Sequence, residues 1–532
     1  MSTRWLRGFA LVAALLLLDV SLTFHNVWPT PAISWRGEIS VELAAYIVAC
    51  AALAIARERS GRVAISSTVV RFVTIGWMCL VVGRYADVTA TALFGRDINL
   101  YWDLRFIPDV ISLLAKAAHS WLVLGVLAVV VIALVILYVA LRWAIRTVSD
   151  AASDRERRIP LALISAALLI VFVASTAVGA HVPGLEFARP VTLTYARQVG
   201  VAVRAMAGTT TVPPSPSMAS DLVHVKGADV YLIFLESYGA VTFDRAAFST
   251  ALAPAREAFE QAVRDTGRDV VSAFVESPTF GGNSWLAHIS LMSGIEVRDP
   301  DVNAMLMAQK RETVVTAFKH RGYRTVALMP GLWQAWPEGS FYNFDVIYGG
   351  ERLAYRGPEF GWFDIPDEFA LAKFDALEAD APSRAPLFMF FPTITTHTPF
   401  RPTPPYQPDW NRVLTEQPFD ESDLDRSFDQ QADWLNLGPS YVDAMTYSYK
   451  TLSGYLRKTR DRDLVIILLG DHQPPALVSG EGAPWDVPVH VIATRRDVLD
   501  RLVAKGFRRG LTPVRPDLSK MNDLLPILLD AF

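Results

Sequence analysis

Residues 465–475 read VIILLGDHQPP. Five apolar residues, two of them isoleucines, run into Gly470, Asp471 and His472. A short apolar, β-rich run of this kind is the mark of a buried strand. Adjacent Asp and His just past its end offer one oxygen and one nitrogen ligand, a pairing that suits Zn²⁺ or Mn²⁺. The same layout repeats upstream. DVYLIFLESYG (229–239) predicts a strand over Asp229–Leu235 that ends in Glu236. Further strands are predicted over 325–328, 387–391 and 464–469. Helical stretches lie between them, so the fold expected of the C-terminal part is a mostly parallel sheet flanked by helices. Ligands in such sheets gather at the C-terminal strand edge, where Glu236, His397, Asp471 and His472 fall. A carboxylate closing a buried strand is costly unless it is paired or metal-bound.

Two other stretches carry candidate chemistry. SPTFGGNSWLAHISLMSG (277–294) predicts a Gly-rich turn leading into a helix that starts near Ser284 and stops at Gly294. Free N–H groups and the dipole at such a helix start suit an anionic phosphoryl group. Ser284 has two readings here: a metal-activated nucleophile or a simple N-cap. Thr279 precedes the turn and Ser290 lies inside the helix, which makes both weaker nucleophiles. FPTITTHTPF (391–400) places His397 in a Thr-rich loop, either to contact the phosphoryl group and protonate a leaving alkoxide or as an ordinary loop histidine. His490, within a strand-like run, reads as a core histidine. Trp333 and Trp336 are either a wall for a head group or core packing. The Pro- and Asp-rich segment 401–440 reads as an irregular insertion with no role assigned.

The N-terminal part is of another kind. The chain has 532 residues, 52% hydrophobic and 20% charged, with a mean hydropathy of +0.26. That excess of apolar residues belongs in membrane segments. Five spans are predicted, over residues 5–24, 39–56, 64–82, 121–141 and 160–179, each near the length a bilayer requires. The first resembles a signal sequence but is long and lacks a clear cleavage site, so it is read as an anchor. Arginines cluster before span one, between spans two and three, and between spans four and five, which orients the N-terminus inside and everything after about residue 180 outside. Tyr101 and Trp102 in the loop GRDINLYWDL (95–104) suit a membrane interface, as an anchor or as a lipid-holding element. Residues 182–207 predict an amphipathic surface helix, and TTTVPPSPS (209–217) a linker. The domain boundaries expected are 1–181, 182–221 and 222–532. A net charge of −4 gives no sign of a nucleic-acid partner. Only Cys50 and Cys79 are present, which excludes a disulfide framework and a cysteine nucleophile from the C-terminal domain.

With these residues in place, the chain resembles the lipoteichoic acid synthase and phosphoethanolamine transferase branch of the alkaline phosphatase (sulfatase-like) superfamily. LESYG, GGNS, TTHTPF and LLGDHQ stand in that branch's order, after five helices and a linker. The resemblance implies a five-helix transmembrane bundle followed by an extracytoplasmic α/β domain of alkaline-phosphatase type. It implies one divalent metal, Mn²⁺ or Zn²⁺, held by Glu236, Ser284, Asp471 and His472. Ser284 and His397 would be catalytic, with Asn283, Trp333 and His397 contacting substrate. Ser284 stands where the branch usually has threonine. The phosphoethanolamine transferases of the branch typically carry several disulfides, and their absence here tilts the expectation toward phosphoglycerol transfer. In the lipoteichoic acid synthases a Trp with an Arg two positions later looks to be part of the glycerol-phosphate site; Trp333 matches, but Ala335 does not, and Arg356 is a candidate substitute. The C/S-x-P-x-R signature of true sulfatases is missing. The activity implied is transfer from a membrane phospholipid to a glycan or lipid acceptor at the inner membrane, with the phosphoethanolamine transferase or a water-using phosphodiesterase or phosphatase as alternatives.

Overall fold

The structure is a computed structural model that describes residues 3–27, 32–59, 66–94, 120–178, 184–207, 211–333, 336, 338–361 and 363–532. The loop 95–104 and Ala335 lie outside these residues. The chain divides into two compact units, the first ending at Ala207 and the second running over Gly208–Phe532.

In the first unit six helices are described: α1 (Thr3–Thr23), α2 (Val41–Arg59), α3 (Ser67–Phe94), α4 (Ser120–Ser153), α5 (Arg155–Val178) and α6 (Val191–Ala207). Among the described residues four helices are long and apolar enough to cross a membrane: Trp5–Thr23, Ser67–Ala92, Leu124–Ser153 and Arg155–Val178. Each of the five predicted spans overlaps a described helix, but α2 is not among the four. It carries Glu42 in its first turn and Arg57 and Arg59 in its last, which shortens its apolar stretch. Helices α3 and α4 outrun their predicted spans because the polar residues beyond the apolar stretch, including Arg84 and Arg142, stay helical. The helices bury Leu18, Leu22, Ile47, Trp77 and Ile145 between them. The Trp77 indole donates to Ser21 Oγ at 3.0 Å, and Tyr46 Oη lies 2.7 Å from Ser149 Oγ.

The second unit is built on β1 (Asp229–Leu235), β2 (Asp269–Glu276), β3 (Arg324–Leu328), β4 (Val346–Tyr348), β5 (Leu387–Pro392), β6 (Leu464–Gly470), β7 (Asp486–Ala493), β8 (Arg508–Arg509) and β9 (Ser519–Lys520). They form one nine-stranded sheet in the order β8-β2-β7-β6-β1-β5-β3-β4, with β9 pairing β2. Five neighbouring strands, from β6 to β4, run parallel; β7 is antiparallel to β6. Alternation along the strands sorts side chains to two faces. Val230, Leu232, Phe234, Val465, Ile467 and Leu469 enter one core, packed by α8 (Ser284–Ser293), α9 (Val314–His320), α13 (Arg496–Ala504) and α14 (Met521–Ala531). Tyr231, Ile233, Leu235, Ile466 and Leu468 enter the other, packed by α7 (Ala246–Asp265), α10 (Asp367–Phe374) and α12 (Gly438–Lys458). Each fully buried aliphatic side chain contributes about 1.5–3 kcal/mol.

Two segments differ from the sequence reading. Val212 in the predicted linker and Met218 just after it pack against the core. Pro213 and Pro214 are exposed, while the half-buried Pro216 ring lies beside Gly294. The insertion 401–440 is not wholly irregular. It contains α11 (Glu421–Asp429), whose Leu424 packs on the buried Phe360–Phe363–Phe419 cluster while Phe428 stacks on Phe360 at 5.3 Å. The i, i+4 apolar pair is hidden in the sequence among acidic residues.

Glu368, in the first turn of α10, is 1% exposed. Its Oε2 accepts from the Gln407 N–H at 3.1 Å, and its Oε1 has no partner. Burial raises its pKa to about 8, above the 4.5 of an unfolded chain. A carboxyl raised on folding stabilises fully only below its unfolded pKa, and that stability is lost as pH rises through the folded value. The loss at pH 7 should be about 3 kcal/mol. Thermal melts of Glu368→Gln between pH 5 and 8 should therefore fall less steeply than those of the parent; an identical slope would refute this.

Candidate active site

Parallel pairing of β1 with β6 sets Leu235 beside Gly470. The next residues, Glu236 and Asp471, thus leave the sheet side by side at one edge. The loops after them cross so closely that a Cβ at Gly470 would lie 1.9 Å from the Tyr238 carbonyl oxygen, which only glycine tolerates. Ligand atoms of Glu236, Asp471 and His472 lie within 4.8 Å of one another, and all three residues are buried.

Helix α8 delivers the fourth group. Its N-cap is Asn283, held at φ 60° and making no side-chain capping bond, so Ser284 is the first helical residue and not the cap. Its hydroxyl points at the strand edge, 2.9 Å from Glu236 Oε2 and 3.1 Å from His472 Nε2. His472 Nε2 is 3.5 Å from Glu236 Oε1. His472 Nδ1 lies 2.7 Å from the Gln473 carbonyl oxygen, which can only accept. Nδ1 therefore carries the hydrogen, and the neutral ring turns the Nε2 lone pair toward the cluster, the tautomer a metal-binding histidine needs.

Asp471 Oδ1 accepts from the backbone N–H groups of Ser237 and His472 at 2.8 and 2.7 Å. Burial, then the charge of Glu236, pushes its pKa up to about 7. Two buried carboxylates this close are unfavourable without a cation. Two carboxylates, a neutral imidazole and a hydroxyl form the mixed O/N donor set that Zn²⁺ and Mn²⁺ accept, so the residues fit a divalent metal.

Groups that the sequence reading missed hold Glu236 in place. Thr393 Oγ1 accepts from its N–H at 3.0 Å, Thr396 Oγ1 donates to its carbonyl at 2.5 Å, and Ser237 Oγ donates to Oε1 at 2.8 Å. The signal for the first two was the Thr-rich run PTITT after β5. The same loop carries His397, partly buried. Its Nδ1 is 2.9 Å from the Thr398 carbonyl oxygen, which can only accept, so Nδ1 carries a hydrogen. Burial lowers its pKa.

Other candidates lie apart. Thr279 Oγ1 donates to Gly282 O at 2.6 Å, and Ser290 Oγ accepts from the Val297 N–H at 2.9 Å, so both hydroxyls serve local structure. His490 sits in β7, its Nδ1 2.7 Å from Ser272 Oγ and its Nε2 3.0 Å from Tyr238 Oη. Burial lowers its pKa to about 3, making it a neutral core histidine. Trp336 packs against Tyr342 and Phe344. Trp333 is 43% exposed, and its ring lies over Gly350. Arg356 pairs with Glu416 at 3.4 Å on the surface.

A family model described as Sulfatase matches residues 292–487, from within α8 to the start of β7. No curated protein matches the chain. Among solved structures, the chain is similar to the lipoteichoic acid synthase LtaP from Listeria monocytogenes, at 14% identity over 55% of this chain and 70% of that one, with a TM-score of 0.37. It is similar to the Streptococcus pyogenes phosphoglycerol transferase GacH in complex with sn-glycerol-1-phosphate, at 12% identity over 62% and 79%, TM-score 0.36. It is also similar to the lipooligosaccharide phosphoethanolamine transferase EptA from Neisseria meningitidis, at 13% identity over 92% and 89%, TM-score 0.45. The matched segment lies in the C-terminal unit and includes His397, Asp471 and His472, while Glu236 and Ser284 precede it.

Proposed function

We propose that this protein is a membrane-anchored, metal-dependent phosphotransferase of the alkaline phosphatase superfamily, working at the outer face of the inner membrane. In this reading it moves a phosphoglycerol-type head group from a phospholipid to a glycan or lipid acceptor. The observation that carries the proposal is the Ser284 hydroxyl at the start of α8, 2.9 Å from Glu236 and 3.1 Å from His472, at the mouth of a parallel sheet. Four membrane-length helices agree with a lipid donor. The lack of any cysteine after Cys79 favours phosphoglycerol over the disulfide-bearing phosphoethanolamine transferases.

Glu236, Asp471, His472 and Ser284 would hold one divalent cation, Mn²⁺ or Zn²⁺, which lowers the pKa of a bound hydroxyl and offsets charge on phosphoryl oxygens. Ser284 Oγ passes its proton to Glu236 Oε2, to which it donates at 2.9 Å, and forms a bond to phosphorus. The bond from phosphorus to the diacylglycerol oxygen breaks, and that oxygen takes a proton from protonated His397 Nε2. The N–H groups of Ser284 and Trp285, at the start of α8, would face the bound phosphoryl group. In the second step the acceptor hydroxyl gives its proton to His397 Nε2, its oxygen bonds phosphorus, and the bond to Ser284 Oγ breaks. Ser284 Oγ then takes its proton back from Glu236 Oε2.

The test is intact-mass measurement of the full-length protein after incubation with phosphatidylglycerol and Mn²⁺. The expected result is a gain of one phosphoglycerol unit. An adduct formed only from phosphatidylethanolamine would move the protein to the other transfer reaction, and no adduct with either lipid would overturn the covalent route. His397→Ala should lower turnover by roughly 10²–10⁴-fold while bound metal, measured by elemental analysis, stays at the parent level. A change below a few-fold would remove His397 from the mechanism.

A further inference from the structure

We propose that the insertion 401–440 and α12 form a binding cleft for a neutral oligosaccharide, and that the acceptor is held there. The acceptor role rests on the transfer reaction proposed above. Helix α12 presents Asp443, Thr446, Tyr447 and Lys450 to a cleft of about 680 Å³, with the insertion as its facing wall. That volume lies within the range of small-ligand sites. The positions are i, i+3, i+4 and i+7, so one face of the helix makes the wall.

The lining selects the ligand class. A sugar hydroxyl donates one hydrogen bond and accepts others, so a saccharide needs both kinds of partner along one surface. Asp423 and Asp443 accept; Arg401, Arg426 and Lys450 donate. Pro404, Pro405 and Tyr406 add flat apolar surface suited to the C–H faces of a sugar ring. The charges are matched in place: Arg401 pairs with Asp443, and Arg426 with Asp423. The segment 401–440 holds three arginines and eight acidic residues, a field that disfavours a polyanion. A neutral ligand is the one this surface fits.

The cleft adjoins the strand edge through two elements. The loop that holds His397 continues into Arg401, with the Phe400 N–H donating to the His397 carbonyl at 2.8 Å. In α12 the Tyr441 hydroxyl donates to the Ser237 carbonyl at 2.8 Å, next to Glu236. Tyr447 lies six residues further on, about 9 Å along the helix. An oligosaccharide seated against α12 thus has its end close to the edge where Ser284 stands.

The experiment places full-length protein in detergent on an array of immobilised neutral oligosaccharides, beside the variants Asp443→Ala/Lys450→Ala and Arg426→Ala. Thermal melts confirm that both fold. Retention on a glycan subset by the parent, weakened at least tenfold in both variants, is the expected result, with the Ser284 adduct forming in them at the parent rate. No retention on any glycan, or retention that neither variant weakens, overturns the proposal. Displacement of bound glycan by a basic peptide, with the peptide binding more tightly, also overturns it in favour of a cationic ligand. An adduct without glycan binding leaves the transfer reaction standing and removes the cleft. Glycan binding without an adduct removes the transfer reaction and keeps the cleft as a saccharide site.

Discussion

Ser284→Ala is expected to abolish turnover, by roughly 10⁴-fold or more, because the Ser284 hydroxyl stands at a helix start against both Glu236 and His472. Thr279 and Ser290 are committed to Gly282 and Val297. The substitution removes one oxygen from a partly buried position at a helix start, where alanine is a good helix former. Ser284 is not the N-cap, so no capping bond is lost. The melting temperature should stay within a few degrees of the parent while the intact-mass adduct disappears. Residual activity near that of the parent would sink the assignment. Ser284→Thr should keep substantial activity, since it preserves the hydroxyl and the helix start. A dead threonine variant with a normal fold would show that the site is shaped for serine alone.

Removal of the cation is the second large effect. Glu236 and Asp471 are 5% and 1% exposed, and their charges face each other across the strand edge. A chelator should bring turnover to background, and Mn²⁺ or Zn²⁺ should restore it. The ion should also raise the melting temperature. A ligand that binds only the folded state, at a hundredfold excess over its Kd, adds about 2.7 kcal/mol. Asp471→Asn should lose both responses: it removes one anionic ligand but keeps an oxygen to accept from the N–H groups of Ser237 and His472. Its melt without metal should match or exceed that of the metal-free parent, because a buried repulsion has been relieved. Full activity after chelation, with no metal found by elemental analysis, would refute the metal-dependent reading.

Much of this architecture was legible in the linear chain. The run VIILL before GDHQ and DVYLIFL before ESYG alternate between the two cores of the sheet, and both end where a charged residue must leave it. Length and hydropathy alone marked the long apolar helices, four of the five predicted spans being long and apolar enough to cross a bilayer, because a bilayer imposes a minimum apolar length that needs no partner to be recognised. The helix start at Ser284 was legible because glycines and a terminal Gly294 punctuate it.

What the sequence could not decide was proximity. Glu236, Ser284 and Asp471 are far apart along the chain, and they meet because β1 pairs in parallel with β6, in a register that sets Leu235 against Gly470. Strand order is settled by which faces bury together, a property of the whole sheet and not of any one segment. The same holds for the two readings of Ser284: only the folded chain shows that Asn283 takes the cap position and leaves the serine hydroxyl to the carboxylate. The threonine clamp on Glu236 and the cleft along α12 also depend on long-range packing. A Thr-rich loop and an acidic insertion carry no period that reveals what they will face. The sequence by itself determined the kinds of element and the chemistry at their ends; tertiary pairing alone decided which of those ends share one site.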